Sequence, residues 1–135
     1  MDNVKVYYEI WQMMCCGAPF SIGDEVEWSV RLNKNHSEGI ESIIDFFEDH
    51  HYHNGDDILR LRGKVDRILL EYSDGNSRKT LSRNDGQECR YISRQNEKLL
   101  YKDIECADGE HELSEDYEEW AYVITLSNVI VSKQQ

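Results

Sequence analysis

The residues with the most specific chemistry are Cys15 and Cys16, together with His50, His51 and a further His53. Thiolate and imidazole are the ligands zinc prefers, and it binds them tetrahedrally. A cysteine pair from an early turn and a histidine pair from the end of a helix would make Cys15, Cys16, His50 and His51 a structural zinc site. The spacing argues against it, because paired zinc cysteines are usually separated by about two to four residues. Neighbours in a strand also point to opposite faces, so a bend at Gly17 and Pro19 would be needed to aim both sulfurs at one ion. The competing reading is one buried and one half-exposed thiol beside a solvated, His-rich helix end, and it is preferred. Thiolate with an imidazole base would also suit nucleophilic catalysis, but no third, orienting group is marked. A Cys15–Cys16 disulfide would need a strained small ring. Cys89 and Cys106 read as core residues of strands.

A second cluster is Arg60, Arg62 and Lys64, which share one face of a strand opposite Leu59 and Leu61. It could hold an anion or a nucleic-acid backbone. A solvated outer face, or pairing with the chain's own acids, is the preferred reading. Residues 103–119 carry nine acids and no Lys or Arg. That segment lacks the regular Asp-x-Asp-x-Asp-Gly spacing of a calcium loop, so it reads as a solvated loop. There is no Gly-rich phosphate loop and no Gly-x-Ser-x-Gly elbow.

These clusters sit in a chain of 135 residues with a net charge of −12, the size of a single domain over 1–135. Nucleic-acid binding draws most of its affinity from neutralising phosphates, so the charge disfavours it, and it disfavours anionic membranes likewise. No apolar stretch approaches the roughly 20 residues that cross a bilayer, and the first residues do not form a secretory signal. The expected compartment is the cytoplasm, where thiols stay reduced.

The elements that must position these residues follow from periodicity. Val4, Val6, Tyr8 and Ile10 alternate with more polar residues over 4–11, the period of a strand. Residues 25–32 alternate throughout, with Val26, Trp28, Val30 and Leu32 on one face. Ile40, Ile43, Ile44 and Phe47 fall on one helical stripe, and Ser37 suits an N-cap, so the one helix is expected near 37–51. Residues 58–72 predict a long strand whose apolar phase slips from Leu59, Leu61 and Val65 to Ile68, Leu70 and Tyr72. That slip predicts a bulge near Asp66-Arg67, with Gly63 helping a sharp bend. Asp74-Gly75 and Asp85-Gly86 suit hairpin turns, residues 88–93 and 98–105 are weaker strand candidates, and Trp120, Tyr122, Ile124 and Leu126 alternate again. Val129-Ile130-Val131 forms the end of that last strand or a short sequel. The expected fold is mainly β (α+β): a small antiparallel barrel or strongly coiled sheet of about six strands with one helix.

The run from Trp11 to Asp24 reads Trp-Gln-Met-Met-Cys-Cys-Gly-Ala-Pro-Phe-Ser-Ile-Gly-Asp, with Val26 and Trp28 following. It resembles the opening motif, W-Q-M-x-C-C-G-x-P-F-x-x-G-D, of a bacterial family of unknown function. The likeness returns at His50-His51 and Gly63-Lys64-Val65, and covers roughly the first half of the chain. The resemblance implies a bacterial cytoplasmic protein and adds weight to the Cys and His cluster, but brings no activity. The expected function is a non-enzymatic binding or protein-interaction module on a β-barrel scaffold, with zinc as the one candidate cofactor. The alternatives are an enzyme using a Cys/His site, and a small barrel that binds anions or nucleic acid.

Overall fold

Val4, Val6 and Tyr8 turn inward and form the first strand, β1 (Val4–Glu9). The computed structural model describes residues 3–34, 43–49, 58–74, 81–82, 88–89, 98–109 and 117–133; of residues 15, 16, 74, 81–82 and 88–89 it describes the backbone alone. The strand period ends at Glu9, and the chain enters the helix α1 (Ile10–Cys16). Gln12, Met13 and Met14 are good helix formers, and Ile10 and Met13, one turn apart, are both buried. The helix stops at Gly17, whose N–H bonds the Met13 carbonyl at 3.0 Å. A Cβ on Gly17 would lie 2.7 Å from the Met13 Cα and against the Tyr8 hydroxyl, so only glycine fits.

After α1 come β2 (Phe20–Ser21) and β3 (Glu25–Leu32). Between them Ser21 to Asp24 form a tight turn, with the Asp24 N–H on the Ser21 carbonyl and Gly23 at φ +95°. A positive φ at the third position is what a type II turn requires, and glycine meets it without strain. Further along lie β4 (Phe46–Glu48), β5 (Ile58–Asp74), β6 (Leu81–Ser82), β7 (Glu88–Cys89), β8 (Leu99–Ile104), β9 (Cys106–Ala107) and β10 (Tyr117–Lys133). The mainly β class read from alternation is therefore the observed one.

The principal sheet has the order β10-β1-β4-β3-β5-β8, and β10 also pairs with β5. Five strands thereby close into a hydrogen-bonded ring, with β8 added along the far half of β5. Pairing is antiparallel except between β1 and β4. The interior holds Val6, Leu61, Val65, Ile68, Tyr122, Ile124 and Leu126, each fully or almost fully buried. Two smaller pairings, β2–β9 and β6–β7, stand outside this sheet; β6 and β7 bracket the expected Asp85-Gly86 turn, which lies outside the described residues.

The predicted phase slip in β5 is present. Arg67 opposes Thr125 while Val65 opposes Leu126, so Asp66 is the extra residue of a bulge. A second irregularity sits where Lys64 opposes Ser127 and Arg62 opposes Ile130, with Asn128 at φ 53°. Gly63 lies against it: a Cβ there would be 3.1 Å from Val129 and 3.2 Å from the Ser127 carbonyl.

The helix expected near 37–51 is corrected at its centre. Residues 46–48 are the strand β4, joined to β3 by Val30↔Glu48 and Leu32↔Phe46 and to β1 by Val6↔Phe46. The physical reason is tertiary. Without β4, β1 and β3 would each present a bare edge, and closing the ring outweighs the helical stripe. Phe46 turns inward and Phe47 outward against Tyr7, which is strand spacing. Residues 35–42 and 50–57, including Ser37 and the expected helix end, lie outside the described residues. Among the described residues no helix is long and apolar enough to cross a membrane.

Candidate functional site

The ring is not sealed evenly. β4 spans three residues and pairs only with Val30 to Leu32 of β3; one further bond, the Asp49 N–H on the Ser29 carbonyl, extends the contact. From Glu25 to Trp28, β3 has β5 on one side and, among the described residues, no strand on the other. Across that interval lies the Gly17 to Phe20 segment that follows α1. Between the two is a cleft of about 480 Å3.

Its apolar wall is a cluster of rings. Phe20 and Trp28 meet edge to face at 5.0 Å between centroids and Tyr8 and Trp28 at 5.5 Å, while Tyr8 and Phe20 lie tilted at 5.9 Å. Such edge-on packing is favourable beyond the area it buries and holds the rings in fixed orientation. Each ring comes from a different element, namely β1, β2 and β3, so the wall exists only in the folded chain.

The polar lining is acidic. Asp24, Glu25, Glu27 and Glu48 line the cleft, and Arg60 is the one basic residue among the described lining. Glu27 accepts from the Arg60 guanidinium at 2.6 Å, which holds its carboxyl below the usual range. Glu48 differs in kind, being only 3% exposed. It shares the inward phase of Phe46, two residues earlier on β4. Burial, with like charge from Asp49 and Glu9 added, pushes its carboxyl up to about 8. The main chain beneath it is tied to α1, since Gln12 Nε2 donates to the Glu48 carbonyl at 3.2 Å. Burial thus favours the neutral, protonated form of this carboxyl.

The sequence-derived sites fall as follows. The backbone of Cys15 and Cys16 forms the last turn of α1, next to the cleft at Gly17. Their side chains, and His50, His51 and His53, lie outside the described residues. Arg60, Arg62 and Lys64 do share the exposed face of β5. Arg60 faces Glu27, and Arg62 faces Glu25 at 3.3 Å, so this face is a mixed-charge ladder with β3. Cys106, expected in the core, is exposed on β9, where Ala107 takes the buried position instead. The acidic stretch 103–119, expected as a solvated loop, is corrected at both ends: residues 103–104 close β8, Cys106–Ala107 form β9 and residues 117–119 open β10, while residues 110–116 lie outside the described residues.

Sequence reasoning missed Glu48 because residues 46–48 were assigned to a helix. An acid two residues from Phe46, read with strand period, would have marked it.

No curated protein and no solved structure matches the chain. Residues 2–128 match the model of a family described as a family of unknown function, DUF6578, and the chain belongs to that family.

Proposed function

We propose that the protein is a non-enzymatic binding module whose ligand site is the cleft between β3 and the Gly17–Phe20 segment. The observation that carries this reading is the meeting of three fixed aromatic rings with one buried carboxyl, Glu48, in a concavity of about 480 Å3. Small-molecule sites are concavities that set apolar surface beside a few placed polar groups; this cleft sets a wall of aromatic rings beside a charged wall of about equal extent. A carboxyl raised to about 8 would also suit a general acid. Catalysis of that kind needs a second positioned group, and the remaining lining acids, Asp24, Glu25 and Glu27, are exposed. Binding therefore accounts for the cleft with fewer requirements. We place the module in a bacterial cytoplasm.

The test is a fragment screen by ligand-observed NMR, followed by amide shift mapping on labelled protein. The expected result is that hits converge on the amides of Gly17, Phe20, Trp28 and Glu48. Hits scattered over the surface, or gathered elsewhere, would refute the assignment.

A further inference from the structure

Successive residues of a strand aim their main-chain N–H and C=O groups at opposite edges of the sheet. On β3 and the residues flanking it, the odd-numbered positions face β4. The Ser29 carbonyl accepts from the Asp49 N–H at 2.8 Å, and the Asn33 N–H donates to the Asp45 carbonyl at 2.9 Å. The even-numbered positions face β5, where the Val65 N–H donates to the Asp24 carbonyl at 2.9 Å. Glu25 and Glu27 therefore turn their main-chain groups into the cleft, where among the described residues those groups have no hydrogen-bond partner. The opposite wall cannot close on them. The Gly17 N–H is held by Met13, Pro19 has no N–H, and Phe20 pairs with Ala107.

We propose that the cleft takes an extended peptide segment of a protein partner, which adds to β3 as an antiparallel strand along Glu25 to Trp28. This inference rests on the cleft being the ligand site. Donors and acceptors that recur about every 7 Å along a straight edge match the repeat of another extended backbone, and main-chain bonds of this kind are how strand-adding peptides gain affinity.

The sides of the added strand are set by the same alternation. Peptide residues opposite Val26 and Trp28 turn inward with them, onto the rings of Trp28, Phe20 and Tyr8, so they are apolar or aromatic. Residues opposite Glu25 and Glu27 turn outward beside acids already paired with Arg62 and Arg60, so they are polar without a required charge. A second copy of this chain is the poorer occupant. Pairing β3 with itself would set Glu25 and Glu27 against the same acids of the other copy, and like charges directly opposite are unfavourable.

The experiment selects a phage-displayed library of short random peptides on the whole chain, and a recovered peptide is then made synthetically. Recovered sequences should carry apolar residues at alternate positions. By NMR hydrogen exchange, the Glu25 and Glu27 amides should exchange fast in the free protein and slow at least about tenfold on binding. The Val26 and Trp28 amides, bonded to β5, should be slow in both states. N-methylation at every second peptide residue should weaken binding at least about tenfold, and at the residues between should leave it unchanged within about twofold. Glu27→Pro removes one donor from an edge that tolerates proline, and should weaken binding at least about tenfold with the circular dichroism of the wild type. If that variant does not fold, exchange and the methylation scan on the unaltered protein carry the test. Slow Glu25 and Glu27 exchange in the free protein would overturn the open edge. A methylation scan without alternation, or binding without protection of these amides, would overturn strand addition. Small-molecule fragments that gather in the cleft when no peptide binds there would overturn the peptide class and leave the ligand cleft standing. Failure of peptides and fragments alike would overturn both.

Discussion

Replacing Glu48 by glutamine should stabilise the protein, and the gain should grow with pH. The folded chain holds the Glu48 proton up to about pH 8, whereas the same carboxyl in the unfolded chain releases it near 4.5. Between those values the folded state binds more protons than the unfolded state, so stability falls as pH rises. The contribution of neutral Glu48 is complete below about pH 4.5 and lost once pH passes about 8. Each pH unit in that window is worth about 1.4 kcal/mol, which gives about 3 kcal/mol at pH 7 and a ceiling near 5 kcal/mol above pH 8. Glutamine keeps the shape and the hydrogen-bonding capacity and cannot ionise. Urea denaturation of the wild type and the variant at about pH 4, pH 7 and pH 8.5 should therefore show a difference that starts near zero and widens in the variant's favour. A difference that stays flat with pH would mean that the Glu48 carboxyl titrates alike in the folded and unfolded chains, and one that moves in the wild type's favour as pH rises would mean that Glu48 is a well-paired carboxylate in the fold. The account of the cleft's proton would then fail.

Gly17→Ala should lower stability by about 1–3 kcal/mol, since the new methyl meets the Met13 backbone and the Tyr8 hydroxyl; thermal denaturation reads this directly. Tyr7→Phe removes a hydroxyl that donates at 2.6 Å to the fully buried Glu71, which also accepts from Tyr101 at 2.7 Å. That loss should cost about 1.5–3 kcal/mol in urea denaturation. Leu61→Ala, at a fully buried position on β5 in the ring interior, should cost about 2–5 kcal/mol.

The strands were legible where one face is buried and the other wet. β3 falls where Val26, Trp28 and Val30 alternate with acids and polars, and even the Asp66 bulge was visible as a change of phase. α1 was hidden because Ile10 extends the alternation of β1 by one residue, and because Met13 shows helical spacing only in relation to Ile10. β4 was hidden for the opposite reason. Ile43 and Ile44 before it and Phe47 within it match a helical stripe, and the demand for a strand arises from pairing with β1 and β3. The cleft inherits that difficulty. Tyr8, Phe20, Trp28 and Glu48 are spread over 41 positions of the chain, and no spacing within a single element reveals that their side chains converge. The family likeness, seen in the first half of the sequence, in fact runs through the second half as well.

The strand that joins β1 to β5 is β10, which comes after every other strand in chain order. During synthesis the nascent polypeptide therefore emerges with two unsatisfied edges facing an absent partner, and β5 alone offers 17 residues of it. Such edges are templates for stray pairing, so the interval before β10 clears the ribosome is when this protein most needs a chaperone or a dilute setting.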